Sequence, residues 1–227
     1  MAGHMMGSLD QTIPRNAWML AALLALIVVA PQIPLERSWF VVELIFDLIL
    51  LAGVYSVGPA RHRWPFLMLT AITLATRWGE LLSGVRGLDV TALGLTVVWL
   101  SYAVSIIIVH LFRQRDVTVD TILGAIVTYL LAATAFAMVF QIIEIRNPGS
   151  FSGLPDGVYG DPTELGAVML FYSFVCVTTM GYGDIVPVSE LARPISVLAG
   201  VFGQLYLAVM IARLVGLHVA TDRDLRE

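Results

Sequence analysis

Thr178-Thr179-Met180-Gly181-Tyr182-Gly183-Asp184 is the stretch that decides how the rest of this chain is read. An amphipathic-to-apolar run from about Thr163 to Val177 leads into it, and a long apolar run from about Leu191 to Val219 follows. Taken alone, Gly-Tyr-Gly-Asp is ordinary turn chemistry, because glycine and aspartate are both favoured in turns. Its setting changes the reading. A turn buried between two membrane segments must satisfy its polar backbone by lining a water-filled path or by packing within protein. Gly181 and Gly183 lack a Cβ and adopt left-handed backbone angles at little steric cost, so an alternating arrangement turns neighbouring carbonyls the same way.

Composition agrees with a membrane setting. Of 227 residues, 58% are hydrophobic and only 13% charged, with a mean hydropathy of +0.85; this is an integral membrane composition. Lysine is absent, so arginine carries every formal positive charge. The single cysteine, Cys176, excludes an intramolecular disulfide framework or a Cys-rich metal site, and in its apolar run it reads as a small buried residue. A net charge of -4 and a pI near 5.5 give no sign of a nucleic-acid partner. Met1 to Ser8 resembles an expression scar more than a targeting signal and is left out of fold reasoning.

Apolar stretches lie at about Ala17 to Ile33, Trp39 to Val57, Trp64 to Thr76, Val90 to Phe112, Val119 to Ile145 and Leu191 to Val219. A crossing helix needs ~20 residues, so the second, fourth, fifth and sixth suffice by length, whereas the first and third are short. Breaks at Pro31, Pro34, Gly58-Pro59, Gly79, Gly84 and Gly87 support the division. With the N-terminus inside, Arg15, Arg61, Arg63, Arg113, Arg115, Arg213, Arg223 and Arg226 fall on the cytoplasmic side, and Arg37, Arg77, Arg86, Arg146 and Arg193 outside. That bias is modest, yet it places both termini in the cytoplasm and the loop between the fifth and sixth spans outside. Residues Arg146 to Gly160, rich in proline and glycine, read as an irregular extracellular turret. Asp161-Pro162-Thr163-Glu164 then reads as a capped helix start, with the helix running to about Val177. The negative C-terminal end of that helix points toward the membrane centre and favours a cation there.

With these features together, the chain resembles the tetrameric potassium-channel superfamily over roughly Val119 to Val219, its pore domain of outer helix, pore helix, filter and inner helix. The fold expected is an all-α membrane protein of six transmembrane helices, with a re-entrant pore helix and selectivity filter between spans five and six. The physical need is clear: K+ leaves water only if successive oxygens replace its hydration shell. What the resemblance implies is a filter of Thr178, Thr179, Met180, Gly181, Tyr182 and Gly183. In it the carbonyls of Thr179, Met180, Gly181 and Tyr182, with the Thr179 hydroxyl, hold permeant K+ ions, and no cofactor is needed. Asp184 follows the second filter glycine as in that family. Phe171 and Tyr172 stand where the family often has a tryptophan pair, so Tyr172 is expected to hydrogen-bond Asp184 behind the filter. Val175 is apolar where some members carry a glutamate, so that carboxylate brace is absent. Met180 replaces the family's valine; its flexible side chain is expected to pack behind the filter and loosen it.

Gly203, nineteen residues after Asp184, has the spacing of the family's inner-helix hinge glycine, and Gly200 lies one turn earlier. Close packing of small residues between helices is the alternative reading of both. Gln204, Leu207, Ile211 and Val215 recur at helical spacing and are expected to line the path below the filter. Gln204 there helps solvate an ion, and the lower apolar positions close the path by dewetting; a stripe of this kind also serves helix packing.

The first half does not read as a voltage sensor. Val90 to Leu111 contains no arginine, while one charge moved through 100 mV is worth ~2.3 kcal/mol and steep gating needs several per subunit. Glu43 and Asp47 lie four residues apart on one face of the second span, as regulatory carboxylates or as a structural pair with Arg77, Arg86 or a polar neighbour. His110 reads as an interfacial residue. Outside, Glu144, Asp156, Asp161, Glu164, Asp184 and Glu190 outnumber Arg146 and Arg193 and are expected to raise the local cation concentration.

The expected organisation is a tail at 1–16, a four-helix membrane domain at 17–116, the pore domain at 117–220 and a tail at 221–227. The last eight residues leave no room in this sequence for a cytoplasmic ligand-binding domain. The partners expected are K+, membrane lipid and identical subunits in a homotetramer, since one chain offers one filter strand and a ring needs four; the location expected is the plasma membrane. A less selective cation channel, the pore subunit of a potassium uptake transporter and a non-conducting scaffold are the rival functions.

Overall fold

The computed structural model describes residues 16–28, 44–51, 60–83, 88–114, 117–160 and 162–224. Its helices are α1 (Ala17–Val28), α2 (44–51), α3 (Ala60–Ser83), α4 (Leu88–Arg113), α5 (Val119–Arg146), α6 (Pro162–Val177) and α7 (Ala192–Asp224). Between α5 and α6 lie a short strand, β1 (Phe151–Ser152), and a 3-10 turn, Val158–Gly160; β2 (Val186–Pro187) precedes α7. The two strands pair antiparallel, Phe151 opposite Pro187 and Ser152 opposite Val186.

Among the described residues, three helices are long and apolar enough to cross a membrane: Val90–Arg113, Val119–Arg146 and Ala192–Leu217. They coincide with the fourth, fifth and sixth apolar stretches of the sequence. The third stretch is longer than its hydropathy suggests, and Gly79, read as a break, lies inside α3. One interior glycine costs about 1 kcal/mol relative to alanine, which the seam with α4 offsets. There Trp99 Nε1 donates to Thr70 Oγ1 at 2.8 Å, and the Phe66 and Trp99 rings lie 4.9 Å apart. Thr70 and Thr73 donate their hydroxyls back to the carbonyls of Phe66 and Leu69, both at 2.8 Å, so polar side chains sit in an apolar helix without loss. The expected breaks at Pro31, Pro34, Gly58-Pro59, Gly84 and Gly87 fall outside the described residues, as does the Asp161 cap.

Thr118 caps α5: its hydroxyl accepts from Thr121 N at 3.2 Å, and Thr121 Oγ1 accepts from Thr118 N at 3.3 Å. Asn16, at the start of α1, binds Asp120 through its backbone N (3.2 Å to Oδ1) and its side-chain Nδ2 (3.1 Å to O). The first turns of α1 and α5 therefore meet where α4 ends, as an alternating up-and-down order requires. Lipid tails are as apolar as leucine, so helices in a membrane are held mainly by packing and such hydrogen bonds. One core, including Leu23, Phe66, Trp99 and Leu131, binds α1 to α5. A second, around Phe140, Phe151, Met169 and Tyr172, seats α6 against α5 and α7.

Candidate ion pathway

The pore helix α6 is fixed at several points. Ser173 Oγ donates to the Ala133 carbonyl of α5 at 2.6 Å, and Tyr129 OH of α5 donates to the Val177 carbonyl at 3.1 Å. Tyr172 OH donates to Ser196 Oγ of α7 at 2.7 Å. This last bond corrects the expected Tyr172–Asp184 brace. The buried Tyr172 ring is held edge-on by Phe140 (5.0 Å) and Phe151 (5.1 Å), which aims its hydroxyl at α7. Asp184 is exposed, and its Oδ1 accepts from Ile185 N at 3.0 Å. Phe171 supports the filter differently, stacking on Tyr182 with 6.1 Å between centroids and 4° between planes.

The filter strand leaves the end of α6 without a gap. Thr178 N donates to Phe174 O (2.9 Å), Thr179 N to Cys176 O (3.0 Å) and Met180 N to Val175 O (3.0 Å). The helix-end carbonyls are thereby satisfied, and those of the filter are left over. Thr179, Gly181 and Gly183 have φ of 59°, 62° and 77°, whereas Met180 and Tyr182 between them do not enter the positive region. Alternating hands aim successive carbonyls to one side, which is the arrangement that a stack of cation sites needs. Met180, expected to pack behind the filter, is 62% exposed, because its own subunit leaves that side open.

Above the filter, the turret is ordered rather than loose. The β1–β2 pair joins it to the segment after Asp184, and Val188 N and Ser189 N both donate to Ser150 O (2.8 and 3.2 Å). At Gly153 a Cβ would lie 1.9 Å from the Asp184 carbonyl, so only glycine permits that approach. Glu144 is not part of an exposed acidic mouth, as had been expected: it is fully buried. Its carboxylate accepts from Gly149 N (2.7 Å), Phe151 N (3.1 Å) and Tyr159 OH, and so anchors the turret from inside. That hydrogen bond to Glu144, with desolvation behind it, holds the Tyr159 hydroxyl above its ordinary pKa. Asp156, Asp184 and Glu190 remain exposed. The sequence also carried an overlooked cap for α7: Ser189 Oγ accepts from Ala192 N at 3.1 Å.

On the inner helix, a Cβ at Gly203 would lie 1.8 Å from the Val177 carbonyl, whereas one at Gly200 would make an ordinary 3.5 Å contact with Cys176 O. Close approach to α6 is thus a sufficient reason for glycine at 203. Gln204 Nε2 donates to Thr179 Oγ1 at 2.9 Å, bringing these two sequence-predicted residues together. Gln204, Leu207, Ile211 and Val215 are all exposed and continue along one stripe of α7 away from the filter. Of the two carboxylates expected on the second span, Asp47 lies elsewhere. Glu43 and Arg86 are outside the described residues; Asp47 Oδ2 accepts from Trp78 Nε1 at 3.1 Å, while the Arg77 guanidinium stands 4.8 Å over the Phe46 ring.

A 16-residue apolar helix running into a segment of alternating backbone hand, beside a long apolar helix, is the arrangement expected of a membrane channel. Residues 125–218 match the family described as "Ion channel". The chain is also similar to Protein LctB of Bacillus caldotenax, 25% identical over 129 residues that span 56% of this chain and 96% of that relative. No solved structure matches.

Proposed function

We propose that the protein is a homotetrameric, potassium-selective channel of the cell membrane that conducts passively down the electrochemical gradient. The observation that carries this reading is the alternation of left-handed backbone at Thr179, Gly181 and Gly183 at the end of a re-entrant helix. Four copies around an axis would surround it with the carbonyls of Thr179, Met180, Gly181 and Tyr182 and the Thr179 hydroxyls, replacing the hydration shell of K+. The organisation proposed is six spans, with 17–116 as a four-helix domain, 117–220 as the pore domain and both termini cytoplasmic. Exposed Leu207, Ile211 and Val215 would close the path by dewetting. Since Val90 to Leu111 holds no arginine, that stretch of α4 supplies no gating charge, and voltage dependence is expected to be weak.

Methionine at 180 in place of the family's valine favours one second reading, a less selective cation channel whose filter is loosened by that flexible side chain. Flux from liposomes reconstituted with the purified protein, in potassium and then in sodium, separates the two. Selective potassium flux that is lost in Gly181→Ala supports the first reading. At φ 62° an alanine strains the filter even though its methyl would meet no neighbour. Equal sodium flux supports the second reading, and no flux from a demonstrated tetramer means a closed gate awaiting a stimulus or a scaffold role.

A further inference from the structure

Thr179 is the one non-glycine residue with positive φ among those described. A branched Cβ makes that backbone costly, so the surrounding contacts must hold it in place. Its amide is taken by the Cys176 carbonyl at 3.0 Å and its hydroxyl by Gln204 at 2.9 Å. The residue before Gln204 is Gly203, whose backbone lies against the Val177 carbonyl that Tyr129 also binds. Two consecutive residues of α7 therefore register the inner helix on the base of the filter, one by close contact and one by a hydrogen bond.

We propose that Gln204 is a positioning residue for the innermost ion site, and that its carboxamide oxygen forms a further ligand ring for a K+-sized cation entering from inside. The inference rests on the potassium-channel reading above. A hydroxyl oxygen has two lone pairs. With one engaged by Gln204 Nε2, the rotamer of Thr179 is fixed and the other lone pair remains for the ion. Donating through nitrogen leaves Oε1 of Gln204 as an acceptor on the exposed side of α7. In the proposed tetramer, four such oxygens would ring the axis next to the four Thr179 hydroxyls. A cation arriving from the cavity then exchanges water for amide oxygens before it reaches the carbonyls, so its desolvation is spread over two steps.

Block by internal Ba2+ tests this in bilayer recordings of the purified full chain, because Ba2+ is close to K+ in size, carries twice the charge and lodges where oxygen ligands are densest. Gln204→Leu is expected to weaken the block about tenfold, the scale of one hydrogen bond to a charged group. Gln204→Glu, of nearly the same shape, is expected to strengthen it. A purely structural role would not move Ba2+ affinity in opposite directions with charge, and the Glu variant carries the test should the Leu variant fail to assemble. Wild-type Ba2+ affinity in both conducting variants overturns the role of Gln204 alone. A wild-type protein that shows no potassium selectivity overturns the underlying reading, and this one with it.

Discussion

Arg213 of the inner helix donates from Nη2 to the carbonyl of Leu111, in the last turn of α4, at 2.8 Å, and to the Gln114 carbonyl just beyond at the same distance. Its guanidinium also stands 4.8 Å over the Phe112 ring. A cation on the exposed carbonyls of a helix C-terminus is favourable on both hydrogen-bonding and dipole grounds. Further up, α4 and α7 diverge around an apolar groove of about 230 Å³ lined by Ile108, Phe112, Phe202, Leu205 and Tyr206, so Arg213 is the polar fastening of that seam.

This contact gives α4 mechanical purchase on the inner helix. On the proposed gate at Leu207, Ile211 and Val215, releasing α7 from α4 is expected to let that stripe move toward its counterparts in the proposed tetramer. Arg213→Gln is predicted to shift the opening equilibrium toward closed by roughly tenfold, the scale of hydrogen bonds to a charged group, with unitary conductance unchanged. Single-channel recording reads both quantities. Unchanged open probability with altered conductance would place Arg213 in the conduction path instead.

The two inner-helix glycines make opposite predictions. Gly203→Ala forces a methyl against the Val177 carbonyl, and the backbone of α6 or α7 must yield. A loss of about 1–3 kcal/mol is expected, typical of overpacking. Gly200→Ala meets only an ordinary contact and gains helix propensity, so it is expected to be neutral or slightly stabilising. Thermal melting of the detergent-solubilised protein distinguishes them. Equal melting with altered gating in Gly203→Ala alone would favour a hinge over packing.

The part of this site that local chemistry dictates is legible in the sequence alone. Alternating glycines, the helix ending at Val177 and the apolar runs on either side follow from backbone sterics and period, which need no partner in space. Side-chain partners across elements are not legible in that way. Tyr172 was expected to reach Asp184, but the rings of Phe140 and Phe151 decide its direction, and they lie far away in sequence. Glu144 looked like one more surface acid because spacing cannot show that the turret folds its amides back onto it. Gly79 looked like a break because composition does not weigh the α3–α4 seam against a single glycine.

The anchor at Glu144 predicts an alkaline limit to turret order. The Tyr159 pKa is raised above its ordinary 10.0 by the hydrogen bond to Glu144 first and by desolvation second. A raised folded-state value means that its stabilising contribution is complete below pH 10 and is lost as pH rises through the folded value. Wild-type protein is therefore expected to lose melting temperature above about pH 10 more steeply than Tyr159→Phe, which has no hydroxyl to ionise. At neutral pH the same substitution lowers stability, since Glu144 keeps only its two backbone donors. Parallel alkaline limbs in the two proteins would assign the loss to other tyrosines.

Met180 offers the most direct test of how the filter is walled. Its carbonyl belongs to the main chain, so any side chain leaves the ion ligand in place; what changes is how firmly the strand is held. Methionine has three rotatable side-chain bonds and here lies exposed, whereas valine is β-branched and restricted at χ1. Met180→Val is accordingly expected to move the reversal potential in mixed potassium and sodium toward the potassium limit, with little change in potassium conductance. Should selectivity stay the same, the strand must already be held as firmly as valine would hold it. The contact responsible then has to come from a neighbouring subunit, because within its own chain the Met180 side chain is left open. Replacing the wall residues of that neighbour, rather than Met180 itself, would then be what alters selectivity.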